Sequence, residues 1–227
     1  GDHRDLHRVD RRQRQMCIRD SYLSSQVEDF VNQPHFKNWV NLVYEPTLLG
    51  TAGTIRGNID YCSNTTLLLA HADNWTCCNF SEFLDFHIHK RSKDTVMTMM
   101  TFKCLDPKVC GIVELDNNGI VVNFHEKVEN PPGNIANAAV YLLEPEVIEW
   151  IKNNPTVTDF SNDVISHFTG KIATWENCEI HRDIGTINSL REAQNDVYNT
   201  PLKMGNTRWQ KNFLTNKIHQ LIKNDSQ

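Results

Sequence analysis

Long apolar runs are missing from this sequence: nothing approaches the roughly 20 consecutive apolar residues that cross a bilayer, so a membrane-spanning helix is not expected. The Arg-rich start has no apolar core region and does not read as a secretory signal. The seven cysteines include no Cys-x-x-Cys pair, and their number is odd. A zinc site or a disulfide framework is therefore not expected, and reduced thiols in a cytoplasmic protein are. Internal repeats and low-complexity tracts are also missing. Excess positive charge is lacking too. The formal net charge of -5 argues against non-specific nucleic-acid binding, although a local basic pocket for phosphates remains open. His87, His89, His125 and His181 have no metal-ligand spacing and read as surface or core histidines.

What is present is ordinary for a globular chain: 39% apolar and 22% charged residues over 227 positions, enough for one domain of fair size or two small ones. Residues 1–20 contain no lysine and no traceable helical or strand period. They are expected to be a non-native or disordered segment, either foreign sequence or a basic arm. Residues 21–199 carry the regular pattern, and residues 200–227 form a polar tail with an amphipathic helix expected over Phe213 to Ile222.

Within the regular part, Leu23, Val27, Phe30 and Val31 predict a helix over Tyr22 to Asn32, and Val40 to Tyr44 a strand. The bend Leu49-Gly50-Thr51-Ala52-Gly53 leads into a helix ending near Tyr61. Thr66 to Ala72 is a short apolar run that stops at Asp73, and reads as a strand buried on both faces. Ser81, as N-cap, opens a helix to Arg91, and Thr95 to Phe102 is a β-branched, Met-rich strand. Asn117-Asn118-Gly119 predicts a hairpin between Gly111–Leu115 and Ile120–His125. Ala138 to Leu143 is a strand, Pro145 to Lys152 a helix, and Asp159 to Phe168 a helix closed by Gly170. Ile172–Trp175 and Glu179–His181 are short strands, and Asp183-Ile184-Gly185-Thr186 precedes a helix through Val197. This alternation predicts an α/β fold, a mostly parallel mixed sheet flanked by helices.

In such sheets ligands meet the carboxyl ends of the strands, which puts Asp73 where a metal or phosphate would lie. The alternative is that Asp73 caps a following helix.

Four separated stretches combine with this pattern. They are Glu45-Pro46-x-x-Leu49-Gly50-Thr51-Ala52-Gly53, Ala72-Asp73-Asn74, Phe124-His125-Glu126-Lys127 with Asn137-Ala138-Ala139-Val140-Tyr141, and Asp183-Ile184-Gly185-Thr186. In this order and spacing the sequence resembles the sugar-1-phosphate nucleotidyltransferases, in particular the mannose- and heptose-1-phosphate guanylyltransferases, over roughly Ser21 to Asn195. The resemblance implies a Rossmann-like fold of the nucleotide-diphospho-sugar transferase type. It also implies an enzyme that joins a nucleoside triphosphate to a sugar 1-phosphate and releases pyrophosphate. Two polyanions must then meet, so Mg²⁺ and positive charge are needed to offset their repulsion.

By the same resemblance, Asp73 and Asp183 hold Mg²⁺, Lys127 meets the sugar phosphate and Glu126 accepts from sugar hydroxyls. Gly50, Thr51, Ala52 and Gly53 let backbone approach the nucleotide. Gly111 and Asn137 lie against the sugar, where Ala138 and Ala139 replace a glycine that the family usually has, adding a methyl that narrows the pocket. Other readings stay open. Asp183 would cap the next helix, Lys127 and Glu126 would form a surface ion pair, residues 50–53 would be a plain turn, and Asn137 would satisfy a turn.

The family opens with a strand and a Gly-x-Gly-x-Arg loop, and nothing in residues 1–20 matches it. The first βα unit is therefore expected to be missing. The chain is expected to be a truncated, weak or inactive copy, or alternatively a non-catalytic nucleotide-sugar-binding or regulatory subunit on the same scaffold. GTP is slightly favoured as the triphosphate. A homo-oligomer built on the tail helix and a solvated tail are both open.

Overall fold

The computed structural model describes residues 16–20, 24–34, 36–37, 40–62 and 64–199; the expected tail helix lies outside them. The chain divides into two compact units, with the boundary after Leu48.

In the first unit, strand β1 (Met16–Asp20) pairs in parallel with β2 (Val40–Tyr44), from Met16 opposite Val40 to Asp20 opposite Tyr44. Helix α1 (Ser24–Val31) connects them. Val31, Phe36 and Val40 form a small core with Val27 and Leu42 against it. The Phe30 and Phe36 rings stack at 4.9 Å. A strand at Met16–Asp20 has no counterpart in the sequence pattern, which shows no period there.

The second unit, Leu49–Asn199, holds the main sheet. After α2 (Thr51–Gly57) and α3 (Ile59–Cys62) come β3 (Leu67–Ala70) and β4 (Asn74–Thr76). Helix α4 (Phe80–Asp85) runs on into a π-helical turn, Phe86–Lys90, before β5 (Met97–Lys103). Strands β6 (Gly111–Leu115) and β7 (Val121–Glu126) form a hairpin, followed by the long β8 (Ile135–Leu143) and α5 (Pro145–Asn153). A second π turn, Phe160–Ile165, leads into α6 (Ser166–Phe168). Then come β9 (Ile172–Glu176), β10 (His181–Asp183) and α7 (Ile187–Asn199).

The expected mixed sheet is present, but among the described residues its pairs are mostly antiparallel and not mostly parallel, because a strand's apolar pattern carries no information about partner direction. Its order is β7-β6-β8-β5-β9, with β3 also on β8. Strand β5 pairs in parallel with β9, and the β3–β8, β5–β8, β6–β7 and β6–β8 pairs are antiparallel. The core forms where β5 and β8 meet α5 and the second π turn: Met97, Met99, Tyr141, Leu143, Ile148, Ile151, Phe160 and Ile165 are all buried. Each large side chain so buried contributes about 1.5–3 kcal/mol relative to exposure. The methionine cluster is thus packing, as its residue type suggested.

Three local expectations change. The run at Leu67–Ala70 is not buried on both faces: exposure alternates along it, Leu68 is 49% exposed, and its ladder partner β8 is antiparallel. An apolar run reports burial tendency, and it carries no information about partner direction. The helix at Phe80 is capped by Asn79, whose carbonyl accepts from the Ser81 and Glu82 amides, and not by Ser81. At the hairpin, only Gly119 has positive φ (74°), so Asn118 does not adopt the positive φ that Asn-Gly accepts in a tight turn. Asp116 instead closes a longer loop, its carboxylate accepting from the amides of Asn118 (2.9 Å) and Ile120 (2.8 Å).

A fork in strand β8 and the candidate active site

Strand β8 shares one edge between two partners. Its C-terminal half pairs with β3 as far as Ala70 opposite Val140, and its start pairs with β6 at Ile112 opposite Ala136. Residues 137–139 lie at the fork between them. On the other edge the register against β5 slips between Met99 and Thr101, so the fork coincides with a β-bulge. Ala139 there takes φ 51°, a left-handed conformation that an L-residue with a Cβ rarely adopts.

Several contacts hold this bulge. The Asn137 side-chain carbonyl accepts from the Ala139 amide (3.0 Å), and its NH₂ group donates to the hydroxyl of buried Tyr141 (2.7 Å). His71 donates its amide to the Ala139 carbonyl (3.2 Å), and Asn74 donates its side-chain amide to the Ala138 carbonyl (3.0 Å). Asn137 therefore does satisfy local backbone, as its alternative reading held.

The topology brings the other predicted residues to the same fork. Strand β3 runs toward it and ends in the turn that carries Asp73. Strand β10 pairs antiparallel with β4, Asp183 opposite Asn74, and the Ile184 amide donates to the Asp73 carbonyl at 2.7 Å. Both aspartates are exposed. Neither is a helix cap. A strand, β4, follows Asp73. Asp183 Oδ1 accepts from the Gly185 amide (2.7 Å), while Thr186 caps α7 by accepting from the Ser189 amide (3.1 Å).

From the opposite side of the fork, Gly111 stands opposite Glu126 where the hairpin begins and ends. A Cβ on Gly111 would lie 2.8 Å from Glu126 Oε2 and 2.8 Å from Phe124 Cζ, so the glycine permits this close packing. The Lys127 amide donates to the Cys110 carbonyl (3.3 Å), and Lys127 itself takes φ 49°. Its exposed ammonium lies 3.9 Å from Glu126 Oε1, a loose pair that leaves the charge available to an anion.

Electrostatics tie the two sides together. Burial, and next the adjoining Cys104, push the Cys110 thiol up to about 12, with Asp106 and the Asp183 carboxylate adding to the effect. Burial also raises Tyr141, opposed by the Asn137 hydrogen bond and assisted by the charges of Glu126 and Asp159. Asp183 is thus within electrostatic reach of the residue that anchors Lys127, and Glu126 within reach of the residue that anchors Asn137.

Residues 50–53 are engaged elsewhere. Ala52 and Gly53 donate their amides to the Thr158 carbonyl (2.9 and 3.4 Å), Thr51 Oγ1 accepts from the Phe160 amide (2.7 Å), and Ala52 is fully buried. Their route to the fork is indirect, through the Phe160 ring against Tyr141 at 4.8 Å.

Sequence reading gave no role of their own to His71, Asn74, Cys110 and Tyr141. Three of these act through backbone groups or backbone acceptors, which residue type does not advertise. Asn74 and Tyr141 stand in the sequence only as members of motifs.

Hard oxygen donors suit Mg²⁺, which typically takes one or two carboxylates and completes its shell with phosphate oxygens and water. Two exposed carboxylates on adjoining backbone fit that need. Among the described residues no group of three or more His, Cys, Asp or Glu side chains is arranged to hold a metal by itself.

Comparison with known proteins bears on the family and the fold. The family model described as Nucleotidyl transferase matches residues 8–200. The chain is 26% identical over 192 residues to a glucose-1-phosphate adenylyltransferase of Bacillus subtilis, covering 78% of this chain and 50% of that protein. It is 29% identical over 150 residues to a mannose-1-phosphate guanylyltransferase of Mycobacterium tuberculosis, covering 65% of this chain and 41% of that protein. The chain therefore spans about half the length of the curated relatives it matches. Among solved structures, HddC from Yersinia pseudotuberculosis complexed with GMP-PN superposes with a TM-score of 0.66 at 20% identity, over 81% of this chain and 79% of that one. At that identity the likeness shows the fold, which is the one the motifs implied.

Proposed function

This chain belongs to the nucleotidyl transferase family, and from that premise we propose that it transfers a nucleotidyl group from a nucleoside triphosphate to a sugar 1-phosphate. A sugar-phosphate oxygen attacks the α-phosphorus, the bond to the bridging α,β-oxygen breaks, pyrophosphate leaves, and an NDP-sugar forms. One observation carries the reading: Asp73, Asp183, Gly111, Glu126, Lys127 and Asn137 converge on one fork of the sheet.

Asp73 and Asp183 would hold Mg²⁺, which supplies positive charge against the two phosphate groups. Lys127 contributes a point charge toward the sugar phosphate. Glu126, fixed beside Gly111, orients sugar hydroxyls. Ala139, with its methyl group at the bulge, narrows the space beside Asn137. Guanine is the base we favour, supported by the guanylyltransferase relative and by the GMP-PN bound in the HddC neighbour. The adenylyltransferase relative makes ATP the competing choice. The setting we propose is cytoplasmic, and among the described residues no helix is long and apolar enough to cross a membrane.

A second reading, a non-catalytic binding protein on this scaffold, draws on the 50–53 segment. Its Ala52 and Gly53 amides already serve the Thr158 carbonyl and are not free to meet a nucleotide. A pyrophosphate-release assay separates the two, run with each triphosphate and a panel of sugar 1-phosphates. Turnover lost in Asp73→Asn and Asp183→Asn supports the transferase. Ligand binding without turnover for any pair overturns it in favour of the binding protein.

A further inference from the structure

Strand β10 carries Arg182 immediately before Asp183. Beside a site for phosphates, an arginine reads first as a phosphate ligand, and its contacts here point elsewhere. Its Nε and Nη2 both bond the Asp196 carboxylate, Nη2 to Oδ1 at 3.1 Å, and its Nη1 bonds Glu192 Oε2 at 2.9 Å. Two carboxylates from α7 thus occupy the guanidinium fork, and Asp196 further raises its already high pKa. Successive side chains along a strand project to opposite faces, so Arg182 lies on the face opposite to Asp183.

We propose that Arg182, with Asp196, is a positioning residue that sets the Asp183 carboxylate in its place beside Asp73. The chain leaves Asp183, turns through Ile184-Gly185-Thr186, starts α7 at Ile187, and returns within that helix to Glu192 and Asp196. The arginine fork closes this path into a loop. On one side of the loop Ile184 is tied to Asp73; on the other, Arg182 is tied to α7. The two ties fix the short segment from which the Asp183 side chain projects. Partners that orient a metal-holding carboxylate commonly matter about ten- to a hundred-fold for metal affinity. A bidentate fork is the geometry that lysine, a single point charge, does not reproduce.

This inference rests on the proposed metal role of Asp73 and Asp183, and the test separates the two. Mn²⁺ binding to the full chain is followed by electron paramagnetic resonance in the presence of a non-hydrolysable triphosphate. Wild type is compared with Arg182→Lys, Asp196→Asn and the double variant, alongside thermal melts and the KM for Mg²⁺ and for sugar 1-phosphate. Each single variant is expected to weaken Mn²⁺ binding roughly ten-fold, with the double variant no weaker than either single one. The KM for Mg²⁺ should rise with it, and the KM for sugar phosphate should stay unchanged. Unchanged Mn²⁺ binding in both single variants overturns the positioning role alone. Lost triphosphate or sugar-phosphate affinity at unchanged Mn²⁺ binding also overturns it, and makes Arg182 a phosphate ligand. A wild-type chain that binds no Mn²⁺ overturns the metal assignment itself, and the positioning role with it.

Discussion

Ile184 donates its main-chain amide to the carbonyl of Asp73 at 2.7 Å, so the two aspartate-bearing turns are joined backbone to backbone before any ligand arrives. Each carboxylate is exposed and makes few demands on the fold. Asp73→Asn and Asp183→Asn should therefore lower turnover by ~10²-fold or more while moving unfolding free energy by no more than ~0.5 kcal/mol. Parallel rate and urea-denaturation measurements check this. Equal losses in both quantities would mean that the aspartates hold the fold and not the ligand.

The bulge at Ala139 makes an opposite prediction. An alanine at φ 51° carries left-handed strain that glycine does not. Ala139→Gly should raise the unfolding free energy by about 1 kcal/mol, seen as a higher urea midpoint at unchanged slope. The same substitution removes the methyl beside Asn137 and should widen the range of sugar 1-phosphates accepted.

Gly111 has no room to grow. A Cβ there would meet Phe124 Cζ at 2.8 Å and Glu126 Oε2 at 2.8 Å. Gly111→Ala should cost roughly 1–3 kcal/mol and displace Glu126, raising the KM for sugar phosphate. Adding Phe124→Leu should recover part of the stability but not the KM, which distinguishes the packing clash from the displaced carboxylate.

His181 sets a pH dependence of stability. Burial lowers its pKa from 6.5 to about 4, against a small opposing effect of Asp183. Its Nδ1 lies 2.8 Å from Thr76 Oγ1, and its ring packs on Phe102 at 4.4 Å. Between these two values the unfolded chain binds the proton and the folded chain does not. Stability is therefore full above about pH 6.5 and falls as the pH drops toward 4. Burial lowers His87 too and contributes in the same direction. Urea midpoints at pH 7 and pH 5 should differ less in His181→Gln than in wild type. An undiminished difference would assign the effect to His87 and the carboxylates.

Much of this candidate site was legible because the residues proposed for it announce themselves by type and order. Asp73 after an apolar run, Glu126-Lys127 at the end of a hairpin strand, and Asp183 before Gly185-Thr186 are signals that survive without coordinates. What was hidden has physical reasons. The left-handed bulge is occupied by alanine, which has no preference for that conformation, so nothing in Ala138-Ala139 signals it. The antiparallel partner of Leu67–Ala70 lies far along the chain, and side-chain pattern is blind to ladder direction. Asn79 and Ser81 are both good N-caps two residues apart, and only the backbone decides between them. The π turns at Phe86–Lys90 and Phe160–Ile165 wind helical segments whose apolar spacing reads as ordinary helix. Arg182 next to Asp183 would pass for a phosphate ligand in sequence, and its contacts with Glu192 and Asp196 of α7 are seen only in the structure.

Strand β3 has a single ladder partner among the described residues, whereas β5 is bonded along both edges. Strands held on one side open at low free-energy cost, and those held on both open only with the whole unit. Amide protons at Leu67–Ala70 should therefore trade with solvent deuterium early, and those of Met97–Met100 last. The rung from which Asp73 hangs is thus one of the compliant edges of the sheet.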